Sequence, residues 1–259
     1  MGLLTKGQTF SNGNMLARIA YNNILEFSST DASATLIPNT WERWTSASGT
    51  MEGFINSQSG IPKADYICIG AHNLGTTGST ITVKVSPLRS GGLSSYVEVG
   101  TVTPTDNKPI YFDFTERDCD GIQVTITGGV NREVGVIYAG VALVMQQPIF
   151  GGHNPINLQG VTDYRNTSSD TGQFLGRKIR RKGQLSSYSW ANLTDDWIRS
   201  DFYPFMLSAK TRPFFIKWRP DYYSDEVAFG YTTGDIQPAN QGGTNRLMQV
   251  GFEMRAHDE

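Results

Sequence analysis

Tyr66-Ile67-Cys68-Ile69-Gly70 is a run with no polar interruption. Successive residues of a strand point to opposite faces, so a strand with one wet face alternates and a strand covered on both faces does not. The run therefore predicts a central strand packed on both sides. Its neighbours do alternate. Ile81-Thr82-Val83-Lys84-Val85 places three aliphatic residues on one face, and Ile122-Gln123-Val124-Thr125-Ile126 does the same. Further outward lie Tyr96-Val97-Glu98-Val99, Ile110-Tyr111-Phe112-Asp113-Phe114 and Val134-Gly135-Val136-Ile137-Tyr138. Turn signals separate the runs at Gly91-Gly92, Thr105-Asp106-Asn107, Asp120-Gly121 and Gly128-Gly129. Short strands about 10 to 15 residues apart with such turns predict an antiparallel β-sandwich.

Composition agrees with a turn-rich β protein. The 259 residues include 28 glycines and 11 prolines, and only 18% are charged, against about 25% in average globular chains. Plentiful aromatics and a net charge of -2 argue against disorder. The same near-neutrality supplies no global field for nucleic acid or an anionic membrane. The longest apolar stretch, Val134 to Met145, contains Tyr138, Gly135 and Gly140 and falls short of the ~18 residues of a membrane span. The opening Met1-Gly2-Leu3-Leu4-Thr5-Lys6-Gly7 lacks the charged-then-apolar layout of a secretory signal. These features predict folding in a reducing cytoplasm, with Cys68 and Cys119 as buried free thiols. The three histidines, His72, His153 and His257, and the two cysteines show no ligand spacing, so neither a metal site nor a cofactor is expected.

The pattern changes near Gln146-Gln147-Pro148-Ile149-Phe150-Gly151-Gly152. Residues 1–147 hold 9 Lys+Arg and 12 Asp+Glu, whereas residues 148–259 hold 13 and 12. A sandwich over 1–147 and a β-rich unit over 148–259 are predicted. The second unit opens with the strand-like run Asn157 to Thr162. Two extended runs, Gln173 to Arg181 and Gln184 to Ala191, are read as a hairpin turning at Lys182-Gly183. A helix is predicted over about 194 to 210. Thr194 is its N-cap candidate, Asp195 and Asp196 suit the first turn, and Trp197, Asp201, Phe205 and Ala209 recur every four residues. Pro204 should kink or split it. Phe214 to Trp218, Val227 to Tyr231 and Leu247 to Met254 complete the strands, with Trp218 expected in the core. The fold class is mainly β, a jelly-roll sandwich followed by a β-rich domain with one prominent helix.

Several groups could carry chemistry, and each has a structural reading beside it. The basic run Arg177-Lys178-Ile179-Arg180-Arg181-Lys182 could meet phosphates, or form a solvated hairpin or a polar subunit interface. The second and third readings are favoured. Asp113, Glu116, Asp118 and Asp120 surround Cys119 and could offer oxygens to Ca²⁺, but the spacing is not that of a calcium loop, and a solvated turn is the favoured reading. His72 could act as a general base, yet no nucleophile motif accompanies it. A hydrogen-bonded residue at a strand end is expected instead. Trp41 and Trp44 could stack on a sugar as a glycan contact, or anchor the sandwich from within. A glycan hydrolase would need two carboxylates flanking a cleft, which spacing alone does not locate.

Two sets of motifs resemble a known family. Ala64 to Gly75 followed by Ile81 to Ser86, preceded by Trp41 to Trp44, resembles the central strands of discoidin-like (galactose-binding-like) jelly rolls. The order of Tyr21-Asn22-Asn23, Tyr164-Arg165-Asn166, Gly172 to Arg177, Arg212-Pro213-Phe214-Phe215, Trp218-Arg219-Pro220 and Gly234 to Pro238 resembles structural proteins of the tail tip or baseplate of tailed bacteriophages. The resemblance spans nearly the whole chain.

That resemblance implies a non-enzymatic virion tail component made in the host bacterial cytoplasm. It implies homo-oligomeric assembly with the jelly roll displayed outward and the second domain docked on other tail proteins. Sugar-binding relatives use loops at one end of the sandwich, so a host surface glycan is the competing partner and adsorption the alternative role. Neither nucleic acid nor membrane insertion is expected. Secreted discoidin domains often close with a disulfide joining their ends. Cys68 and Cys119 are both internal, so that feature is absent here.

Overall fold

The structure is a computed structural model and describes residues 15–23, 25–27, 33–47, 51–57, 63–87, 96–149, 151–242 and 246–257. The Met1–Gly7 segment and the Gly91-Gly92 turn predicted above lie outside these residues.

Among the described residues the chain forms three antiparallel sheets and one prominent helix. A five-stranded sheet has the order β2 (Leu25–Phe27), β4 (Met51–Ser57), β9 (Gly121–Thr127), β6 (Thr80–Ser86), β7 (Val97–Val102). A four-stranded sheet has the order β3 (Trp44–Ser46), β10 (Arg132–Gly140), β5 (Lys63–His72), β8 (Ile110–Asp118). The two face each other as a β-sandwich. Ile67, Ile69, Phe112, Val134 and Ile137 from one sheet meet Ile81, Val83, Val85, Ile122, Val124 and Ile126 from the other. Burying each such side chain contributes about 1.5–3 kcal/mol. A short helix, α1 (Leu74–Thr77), follows β5.

The third sheet has the order β11 (Leu143–Val144), β1 (Arg18–Ala20), β14 (Phe214–Lys217), β15 (Val227–Thr232), β17 (Leu247–Ala256), β13 (Phe174–Thr194), β12 (Gly160–Ser168), with β16 (Ala239–Asn240) also paired to β17. It covers the outer face of the four-stranded sheet. Tyr66 and Cys68 point toward it, into a cluster with Tyr111, Val136, Tyr138, Phe215, Val227 and Phe229. The uninterrupted run at Tyr66–Gly70 thus belongs to a strand sandwiched between two other sheets. Gly70 is required there, because a Cβ would lie 3.1 Å from the Phe215 ring. Alternation holds in the third sheet too. Phe215, Val227 and Phe229 face the sandwich, while Phe214, Ile216 and Ala228 face the opposite core.

That opposite core is closed by the helix 195–209, α2, through Ile198, Phe202, Phe205 and Ala209. Phe205 stands edge-on to Phe214 at 4.9 Å between ring centroids. The helix consists of α-helical Asp195–Trp197, a π-turn Ile198–Phe202 and α-helical Tyr203–Ala209. The π-turn accommodates Pro204, which has no N–H to give and would crowd the carbonyl four residues back in a regular helix. Tyr203 N–H accordingly bonds to the Ile198 carbonyl, five residues back. Thr194 makes no side-chain cap. It is instead clasped by Gln146, whose Oε1 accepts the Thr194 N–H at 2.7 Å and whose Nε2 donates to the Thr194 hydroxyl at 3.0 Å.

Two features depart from the sequence reading. The compositional break near residue 147 differs from the sheet boundary, since β1 and β11 pair with each other and β1 pairs with β14. Lys182-Gly183 is not a turn. It lies inside β13, opposite Val161 and Thr162 of β12. A tight two-residue hairpin favours Asn, Asp or Gly at its first position, which Lys182 does not offer. The reversal occurs at 169–173, where Gly172 has φ +82° and Ser169 N–H donates to the Gln173 carbonyl at 2.9 Å.

Candidate functional site

β13 changes partner along its length. From Gln184 to Thr194 it pairs with β17, which ends opposite Gln184 at Ala256. From Phe174 to Gln184 it pairs with β12. Among the described residues, β12 is therefore its sole ladder partner before Gln184 and the outermost strand of the sheet. The result is a two-stranded arm over about 160–183, roughly 30 Å long at ~3.3 Å per residue.

The arm presents both faces to solvent. Phe174 and Leu175 at its tip are 68% and 62% exposed, and Ile179 and Tyr164 are also exposed. One face carries Tyr164 opposite Ile179, with the Arg177 guanidinium 4.5 Å above the Tyr164 ring. Arg177 Nε also donates to Asn166 Oδ1 at 2.8 Å. On the other face Arg165 stands directly opposite Lys178. Like charges so placed repel. A hairpin of two strands is marginally stable alone in water, and an outermost strand offers unpaired N–H and C=O groups. Apolar tip, basic flank and open edge all mark a surface suited to another molecule.

The basic run found in the sequence lies on this arm. What the sequence reading missed is that neither strand has a buried face. A signal was present, since Thr162 to Ser168 shows no apolar alternation at all.

The other candidates fall elsewhere. Trp44 is 4% exposed and packs in the sandwich core with Ile67 and Val134, so it offers no ring face to a ligand. Its glycan-contact role is corrected on that ground. Trp41 is 89% exposed on the loop before β3. His72 is fully buried, and both ring nitrogens are engaged. Nδ1 accepts the Leu74 N–H at 3.3 Å and Nε2 donates to the Lys108 carbonyl at 2.8 Å. That arrangement holds the loop before β8 and leaves no basic nitrogen for a substrate.

The four acids around Cys119 diverge. Glu116 pairs with Lys63 at 2.9 Å, Asp113 turns to Lys217 and Arg18 of the third sheet, Asp120 is buried and Asp118 is exposed. Among the described residues no group of three or more His, Cys, Asp or Glu side chains is placed to hold a metal ion. Cys68 and Cys119 are free and buried. Burial pushes the Cys119 thiol up to about 12 and the Cys68 thiol well above its usual value, which makes both poor nucleophiles.

A polar cluster fastens the third sheet to the sandwich. Arg18 donates to Asp65 Oδ2 at 2.6 Å, and its Nε lies 3.2 Å from Asp113 Oδ1. Asp65 Oδ1 also accepts the Ala142 N–H at 2.8 Å. Between the sandwich and the third sheet, a groove of about 320 Å³ is lined by Asp106, Lys108, Gln184 and His257 among others. Asp106 is the one carboxylate among its described lining residues, and Lys108 neutralises it at 2.8 Å. Among the described residues, no helix is long and apolar enough to cross a membrane.

No family model matches the chain, and no curated protein matches it. Solved structures with some similarity include a chitosan-binding module from a chitosanase/glucanase of Paenibacillus sp. IK-5. It is 18% identical over 46% of this chain and 96% of that one, with a TM-score of 0.33. The CBM32 module of AlyQ in complex with 4,5-unsaturated mannuronic acid is 16% identical over 49% of this chain and 97% of that one, with a TM-score of 0.35. A truncated AlyQ with CBM32 and alginate lyase domains is 11% identical over 70% of this chain and 49% of that one, with a TM-score of 0.37.

Proposed function

We propose that the protein is a non-catalytic structural subunit of a homo-oligomeric assembly, of the kind found at the tail tip or baseplate of a tailed bacteriophage. The observation that carries this reading is the arm over 160–183, exposed on both faces and tipped by Phe174 and Leu175. In this reading the three sheets and the helix form a stiff body, and the arm joins it to its neighbours. Two of the sequence motifs that carry the resemblance, Tyr164-Arg165-Asn166 and Gly172 to Arg177, build the arm. The polar cluster of Arg18, Asp65, Asp113 and Lys217 keeps the sandwich in fixed register with the sheet that bears it. The chain is assembled in the host bacterial cytoplasm and resides in the virion tail. Negative-stain imaging of virions labelled with an antibody to this chain tests the assignment. Label confined to tail tips supports it, and label on capsids or none on tails overturns it.

One observation favours a second reading, adsorption to a host surface glycan. Trp41 holds an indole ring in solvent on a loop of the sandwich, and an exposed aromatic face can stack on the C–H surface of a sugar. In a multimer, weak single-site binding is multiplied. Titration of the multimer with host lipopolysaccharide decides it, and absence of binding would dismiss this role without touching the structural one.

A further inference from the structure

The near-neutral charge of the chain is unevenly placed. Residues 160–183 hold six cations and two acids, net +4, whereas the rest of the chain holds 16 and 22, net -6. The arm is roughly 30 Å long at ~3.3 Å per residue, several times the ~8 Å over which charges act at physiological salt. Its outer part is therefore screened from the acidic body and behaves as a separate basic object. Register places Arg165 and Lys178 on one face and Arg177 and Lys182 on the other. Arg180 is a bulged residue with no opposite number in β12. Arg165, Lys178, Arg180 and Lys182 are exposed, and among the described residues none of the four is ion-paired. Of the two acids, Asp163 stands opposite Arg181 and Asp170 lies in the reversal at 169–173.

We propose that the flank of the arm grips double-stranded DNA from within its major groove. Cations on both faces decide the partner. A flat acidic surface, of a protein or a membrane, neutralises one face of a ribbon and leaves the other unpaired, whereas a groove has phosphates along both walls. A sheet with its side chains is about 10 Å thick, the spacing at which sheets stack. The major groove of DNA is about 12 Å wide and admits a two-stranded ribbon, against about 6 Å for the minor groove. The major groove of an RNA duplex is too narrow for side chains to enter. With the ribbon inserted edge-first, Arg165 and Lys178 face one wall, and a phosphate there relieves their mutual repulsion. Arg177 and Lys182 face the other wall. Contacts of this kind read no sequence. Phe174 and Leu175 at the tip take no part and stay free for a neighbouring subunit, so the contact goes beyond the assembly reading and does not depend on it.

Fluorescence anisotropy of a labelled mixed-sequence duplex of about 20 base pairs, titrated with the full chain at roughly 50 to 200 mM salt, tests this. With four or five phosphates neutralised, the logarithm of the binding constant should fall against the logarithm of salt with a slope of about -4. R165Q/K178Q should reduce that slope to about -2 and weaken binding at least about tenfold at low salt. Both side chains are exposed, so an unchanged urea midpoint verifies folding. No binding at the lowest salt, or a slope unmoved by R165Q/K178Q, overturns the proposal. Displacement of the duplex by single-stranded DNA or polyglutamate at equal charge makes the arm a general polyanion site and overturns the groove contact. Light scattering on the same wild-type samples separates this from the assembly reading. A monomer that binds the duplex supports the DNA contact and counts against assembly, and an oligomer that does not bind it overturns the DNA contact and leaves assembly standing.

Discussion

Lys217 donates to Asp113 across the boundary between the third sheet and the sandwich, and Lys217 is only 4% exposed. A charge this buried is tolerable only while its partner remains. Asp113 is partly solvated, so removing it should cost toward the lower end of the range for broken buried pairs, about 3 kcal/mol. Asp113→Asn is therefore expected to lower the urea midpoint with little change in slope. Replacing both partners, as Asp113→Leu with Lys217→Met, should recover much of the loss. If the single and the double variant unfolded at the same midpoint, the pair would not be the fastening described here.

Gly70 supplies a second test of how closely the layers pack. A methyl group there would meet two Phe215 ring atoms at 3.1 Å. Phe215 cannot easily withdraw, because its ring lies 4.4 Å from that of Phe229 and 5.5 Å from that of Tyr138. Gly70→Ala should destabilise by roughly 1–3 kcal/mol, the usual cost of overpacking. Gly70→Ala with Phe215→Leu should be less destabilised than the sum of the two singles. Thermal unfolding of the four proteins measures the coupling, and strict additivity would show that the two sites do not touch.

The sandwich was legible because its strands obey simple periods. Ile81 to Val85 and Ile122 to Ile126 alternate since each has one dry face, and Tyr66 to Gly70 does not since it has two. The helix over 195–209 was legible from its fourfold spacing, and only the π-turn that absorbs Pro204 was beyond that pattern. The third sheet was less legible. Its edge is built from β1 and β11, three and two residues long, too short to show any period, and pairing between residues so distant in sequence leaves no local mark. Gly183 misled because glycine marks turns in general, whereas here the strand passes from one partner to the next through Gln184. Of the site, the basic run was visible, but charge counting does not distinguish a hairpin lying on a surface from one standing clear of it.

His153 should make stability depend on pH. Its ring is wedged between Tyr188 at 4.9 Å and Trp218 at 4.5 Å, and burial lowers its pKa below the usual 6.5, opposed by the bond to the Ser187 carbonyl and the charge of Glu226. The unfolded chain then takes up a proton before the folded one does. The associated stability is fully present above the unfolded value, and it is lost as pH falls from about 6.5 toward the folded value. His153→Phe keeps the aromatic wedge and removes the titration. Urea midpoints from neutral to mildly acidic pH should fall more steeply for the wild type than for this variant, and parallel curves would refute the effect.

Trp41 and Trp44 lie three residues apart and should respond to truncation in opposite ways. Trp44 is buried among Ile67, Val134 and their neighbours, so Trp44→Ala opens a large cavity and should cost about 3–5 kcal/mol. Trp41 makes no comparable contact at 89% exposure, so Trp41→Ala should leave stability within about 0.5 kcal/mol. The substitution is therefore a clean probe of ligand binding. If the adsorption reading holds, Trp41→Ala abolishes retention on host lipopolysaccharide while the unfolding midpoint and the oligomer mass stay as in the wild type. Undiminished retention would remove the ring from that role, and a fallen midpoint would show that the loop before β3 is part of the packed body after all.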